Sequence, residues 1–96
     1  MNARIERTDS GAVIHGDMTL ENARALLAEG VLALKEGMTH FDLSGVGAID
    51  SSGLAVLFGW LRAAQAVGRE VKITNPPHNL KSLAEVYGVA DLLPLS

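Results

Sequence analysis

Asp50, Ser51 and Ser52 are the residues whose types and spacing could do chemistry in this chain. They form an acid followed at once by two hydroxyls, in the run Phe41-Asp42-Leu43-Ser44-Gly45-Val46-Gly47-Ala48-Ile49-Asp50-Ser51-Ser52-Gly53-Leu54. The run predicts a buried strand, a tight glycine-bearing loop and the first turn of a long apolar helix. At such a helix start, free backbone N–H groups and the positive end of the helix dipole lie beside Ser51. A hydroxyl there suits capping, partner contact or phosphorylation. It is not an obvious nucleophile, because the flanking pattern is Asp-Ser-Ser-Gly and not Gly-x-Ser-x-Gly. The histidines His15, His40 and His78 each fall beside a predicted strand or turn, where an isolated imidazole more often serves a surface or capping role than a basic one.

Other chemistries fare no better. Gly45-x-Gly47-x-x-Asp50 follows a strand and opens a helix, as a dinucleotide fingerprint does. Asp50, however, would set a carboxylate where the helix must approach a pyrophosphate. No Gly-Lys-Ser or Gly-Lys-Thr occurs, and Asp17, Asp42 and Asp50 lack a recognisable metal spacing. No cofactor, metal or catalytic residue is expected. A nucleotide-binding or hydrolytic enzyme is kept as the alternative from another class.

The elements that must position Ser51 can be read from pattern. Ile5 and Arg7 sit in a first strand, Gly11 marks a turn, and Ala12 to His15 forms a second strand, together a hairpin. Leu20, Ala23, Leu26, Leu27 and Leu34 recur at helical spacing, predicting a helix over about 20–36 capped by Thr19, weakened by Gly30 and ended by Gly37. Thr39 to Leu43 reads as a central strand, Ser52 to Val67 as a helix ending at Gly68, and Glu70 to Thr74 as a strand. Pro76-Pro77 then interrupts the chain before a helix with the stripe Leu80, Leu83, Ala84 and Tyr87, closed by Gly88. An apolar tail of Val89, Leu92, Leu93 and Leu95 follows. The order β, β, α, β, α, β, α predicts an α/β fold, a small mixed sheet packed with about three helices. The crossover from Thr39 to Thr74 requires two parallel strands.

Composition narrows the function. The 96 residues suggest one domain over 1–96, and the absence of cysteine excludes disulfides and thiolate metal sites. A formal charge of -3 with scattered basic residues argues against nucleic acid, which demands clustered Lys and Arg. No charge-free apolar stretch of about 18 residues occurs and no signal-peptide core is seen, so a cytoplasmic protein without direct membrane insertion is expected. The 52–67 helix carries Leu54, Val56, Leu57, Phe58, Trp60 and Leu61 all around its circumference. A helix on one face of a sheet buries only about half its surface, so Leu54, Leu57, Phe58, Trp60 and Leu61 are expected to meet a partner. The alternative is that the last helix or the C-terminal tail covers the second face.

Asp42-Leu43-Ser44-x-Val46-x-x-Ile49-Asp50-Ser51-Ser52-Gly53-Leu54 resembles the motif of the STAS family, named for sulfate transporters and anti-sigma factor antagonists. The resemblance runs over essentially the whole chain. It implies a non-enzymatic, protein-binding α/β domain whose contact point follows the motif Asp, with Asp50, Ser52 and Gly53 supporting Ser51. In the antagonists the first hydroxyl after that Asp is phosphorylated by a partner kinase, here Ser51. The short length and the ending Leu83-Ala84-Glu85-x-Tyr87-x-x-x-x-Leu92-Leu93-Pro94 are similar to the small STAS subunit of Mla-type phospholipid ABC transporters. That subgroup implies an ATPase subunit as partner and a position at the inner membrane through it. It typically carries Thr-Gly where this chain has Ser51-Ser52, a departure toward the phosphorylated antagonists, whose partner is an anti-sigma factor kinase.

Overall fold

The computed structural model describes residues 3–9 and 11–95. Strand β1 (Arg4–Thr8) pairs antiparallel with β2 (Gly11–Met18), and helix α1 (Leu20–Lys35) carries the chain back to β3 (His40–Ile49), parallel to β2. Helix α2 (Ser51–Ala66) repeats the crossover to β4 (Lys72–Thr74), parallel to β3, and α3 (His78–Val86) and a 3-10 turn at Ala90–Leu92 follow. The sheet order is β1-β2-β3-β4. Two successive right-handed crossovers stepping the same way place α1 and α2 on one face of the sheet, side by side. Strand alternation agrees: Ile14, Phe41, Leu43 and Ile73 are buried under the helices, whereas Val13, His15, His40, Asp42 and Thr74 are only partly covered on the opposite face.

The expected order of elements holds, with two local differences. The residues expected to form a glycine loop, Ser44 to Ala48, lie within β3. They stay paired because β2 runs on past His15 to Met18, and β3 absorbs its surplus length in two irregularities of register. From Val13↔Asp42 to His15↔Gly45, β2 advances two residues and β3 three; the same happens from Gly16↔Val46 to Met18↔Ile49. Thr19 does occupy the N-cap of α1, but its side chain makes no capping hydrogen bond.

The core explains Gly30. Helix α1 passes through it unbroken, and a Cβ there would lie 2.0 Å from Trp60 Nε1. The missing side chain lets the indole lie against α1, where Nε1 donates to the carbonyl oxygens of Leu26 at 3.1 Å and Leu27 at 3.3 Å. Beneath, the Trp60 ring stacks on Phe41 of β3 with centroids 4.7 Å apart and planes 19° from parallel. Glycine costs about 1 kcal/mol of helix propensity relative to alanine. Here that cost admits a fully buried tryptophan whose polar atom is satisfied.

Candidate functional site

The first turn of α2 projects from the carboxyl end of β3. Asp50 is its N-cap, with extended backbone, and Oδ1 accepts from the N–H groups of Ser52 at 2.8 Å and Gly53 at 3.2 Å. Its other oxygen receives the Leu20 N–H at 3.4 Å, so one carboxylate touches the starts of both α1 and α2. This bond satisfies the first free N–H of α1, at a helix start where the Thr19 side chain makes no capping bond. Neighbouring strand ends are tied similarly: Asp17 Oδ1 accepts the Ala48 N–H at 2.9 Å, and Asn79 Nδ2 donates to the Ile49 carbonyl at 3.2 Å. Gly53 is buried, and a Cβ there would fall 2.2 Å from the Met18 carbonyl oxygen, so α2 can start this close to β2 only with glycine at that position.

Ser51 is exposed, and its hydroxyl makes no hydrogen bond among the described residues; Ser52 is half-buried. No histidine bonds to either serine. His15 pairs with Glu6 at 2.9 Å and His40 with Thr74 Oγ1 at 2.7 Å, both on the open sheet face. No group of three or more His, Cys, Asp or Glu able to hold a metal occurs among the described residues. Nor is any described helix long and apolar enough to cross a membrane.

The expected apolar interface on α2 requires correction. Trp60 and Leu57 are fully buried and Leu54 nearly so, leaving Phe58 and Leu61 as the half-buried members of that set. The excess apolar surface is covered inside the chain. Helix α1 closes one flank through the Gly30 notch, and α3 with the C-terminal segment closes the other, burying Leu80, Ala84 and Leu93.

Beside Ser51 lies an open groove lined by Ser51, Leu54, Ala55, Phe58, Tyr87 and Val89. Tyr87 and Val89 are not legible as site residues from the sequence. Tyr87 fits the inward stripe of α3 by spacing, but it caps the helix at its C-terminus and is 56% exposed. Its place one residue before Gly88, where the helix must end, is the available signal.

This arrangement of sheet and helices recurs in known proteins. The solved structure of the anti-sigma factor antagonist SpoIIAA in its unphosphorylated form superposes with a TM-score of 0.71 at 18% identity, over 98% of this chain and 87% of that one. An anti-sigma factor antagonist from Mycobacterium paratuberculosis gives 0.66 at 20% identity, over 97% and 82%. At these identities the likeness speaks for the fold. In sequence, the chain is 34% identical over 58 residues to the intermembrane phospholipid transport system binding protein MlaB of Haemophilus influenzae. The match covers 60% of this chain and 55% of the relative, so it spans about half the length of that protein. The family model described as "Mlab, STAS domain" matches residues 1–94. With nearly all of its length accounted for by that model, the chain belongs to the MlaB STAS-domain family.

Proposed function

We propose that the chain is one non-enzymatic STAS domain that binds and supports the ATPase subunit of a phospholipid ABC transporter, held at the cytoplasmic side of the membrane through that partner. The observation carrying this reading is the Ser51 end of α2, where an exposed, unbonded hydroxyl borders a groove walled by Phe58 and Tyr87. Aromatic side chains at the edge of an open apolar groove are what a protein partner uses as anchors. The family, and the phospholipid transport named for the Haemophilus relative, supply the class of partner. Without a base bonded to Ser51, nothing favours hydrolysis.

A second reading, an anti-sigma factor antagonist, is favoured by one feature: Ser51 is open to a kinase at the positive end of a helix. Co-purification with the ATPase subunit of the same organism separates the two. Wild type and Ser51→Ala should retain the ATPase, while Ser51→Asp and Tyr87→Glu, at unchanged melting temperature, should lose about 2 kcal/mol of binding or more. Wild type that fails to retain the ATPase would overturn the transporter reading. Phosphate found on Ser51 after incubation with a cognate kinase would establish the antagonist one.

A further inference from the structure

On the flank of α2 opposite Tyr87 runs a second groove, between α1 and α2, lined by Ala23, Arg24, Leu27, Ser52, Ala55 and Arg62. At about 410 Å³ it is larger than the 280 Å³ groove beside Ser51. Val56, buried, also lines this second groove. Leu27, 38% exposed, forms one wall and lies over Gly59, where a Cβ would meet Leu27 Cδ1 at 2.5 Å. No carboxylate lines the groove, although the chain as a whole carries a charge of -3. The two guanidinium groups are exposed and make no ion pair among the described residues, in contrast to Arg7, which pairs with Glu36.

We infer that this groove receives an acidic amphipathic segment of a partner protein, its apolar side on Leu27 and Ala55 and its carboxylates on Arg24 and Arg62. The apolar lining that Leu27, Ala55 and Val56 give the groove alongside the two arginines favours an amphipathic peptide over a small anion. Helices α1 and α2 run parallel, since Leu20 meets Asp50, Leu26 and Leu27 meet Trp60, and Leu34 meets Arg69. Arg24 is therefore level with the region of Ala55, and Arg62 lies about 10 Å, or roughly two turns, further along. Carboxylates about seven residues apart on a partner helix match that separation. The site shares Ala55 with the Ser51 groove but otherwise lies on the α1 flank of α2, and the inference does not depend on which partner binds at Ser51.

The test is an amide NMR titration of the full chain with a Leu/Ala helical peptide bearing Glu about seven positions apart, and with the same peptide bearing Lys. The acidic peptide should shift Ala23, Arg24 and Leu27 and lose strength with added salt, and the Lys peptide should not bind. Arg24→Glu/Arg62→Glu should weaken the acidic peptide at least ten-fold and admit the Lys peptide. Arg24→Gln/Arg62→Gln gives the same loss without added acid, should the reversal fail to fold. Equal binding of both peptides, binding of neither at millimolar concentration, or shifts confined to the Tyr87 flank would overturn the inference. So would groove shifts caused by phosphatidylglycerol-containing vesicles and not by the acidic peptide, which would mark a membrane-facing surface.

Discussion

The middle of α2 and its first turn are nine residues apart and opposite in character. Trp60 is inaccessible, stacked on Phe41 and bonded to two α1 carbonyls, whereas Ser51 is exposed with a free hydroxyl. By residue type the order would be reversed, with tryptophan as the surface anchor and serine as a mere cap. The difference teaches that an aromatic on a helix marks an interface only when no neighbour has been shaped to receive it. Here the shape is a glycine thirty residues earlier in the chain.

Breaking that seam should have the largest effect. Trp60→Ala leaves a cavity between α1, α2 and β3 and is expected to cost about 3–5 kcal/mol, a large share of the roughly 5–15 kcal/mol holding a domain together. Trp60→Glu adds a buried charge and should leave no folded protein for a binding assay. Gly30→Ala sharpens the comparison, since helix propensity alone would make it stabilising by about 1 kcal/mol, while overpacking costs about 1–3 kcal/mol or more. With the contact at 2.0 Å on a fully buried ring, the clash should win. Urea denaturation of Trp60→Ala and Gly30→Ala, with circular dichroism of Trp60→Glu, measures this, and a Gly30→Ala protein more stable than wild type would show that the indole can yield.

This seam also shows where sequence reading stops. The strand and helix order was legible because each element carries a local signal: alternation in Val71-Lys72-Ile73, helical spacing in Leu20 to Leu34, and breakers at Gly37, Gly68 and Pro76-Pro77. Asp50 could be placed before the helix for the same reason, since a capping acid acts on the next three residues. The fit of Trp60 into Gly30 has no local signal. From the sequence, Gly30 only lowers helix propensity, and the partner that makes it necessary appears when two crossovers bring α1 and α2 together. The glycines of β3 mislead similarly, because their pairing depends on how far β2 extends. Tyr87 and the arginines of the second groove escape for the same reason, as each becomes part of a surface only through an element distant in sequence.

At the first turn the expected effects are smaller. Asp50→Ala removes two well-placed acceptor contacts to α2 and the longer one to Leu20. The cost should be about 1–2 kcal/mol, the upper part of the range for an N-cap. Asp50→Asn, which keeps an acceptor oxygen, should recover most of it. A lowered urea midpoint at unchanged slope for Asp50→Ala, with near-wild-type behaviour for Asp50→Asn, would identify the loss as capping. Equal losses in both would point to the charge at the helix N-terminus instead.

The smallest effect is expected on the open sheet face, where Asp42 can be compared with Asp50 as a carboxylate held by hydrogen bonds away from any helix start. The Asn75 side-chain amide, donating at 3.0 Å, and the Ser44 N–H at 2.9 Å hold its carboxyl below the ordinary value of 3.8. A carboxyl depressed in the folded state contributes stability that is fully present above the unfolded value and is lost as pH falls through the folded one. The contribution should therefore vanish in the acid range below 3.8 and be constant near neutrality. Asn75 has positive φ, 51°, so glycine removes its amide without straining the backbone. In Asn75→Gly the Asp42 carboxyl, followed by carbon NMR, should titrate closer to 3.8 than in wild type. The stability difference between the two proteins should narrow as pH drops through that range. A gap independent of pH would assign the Asn75 contribution to the backbone turn and not to the Asp42 carboxylate.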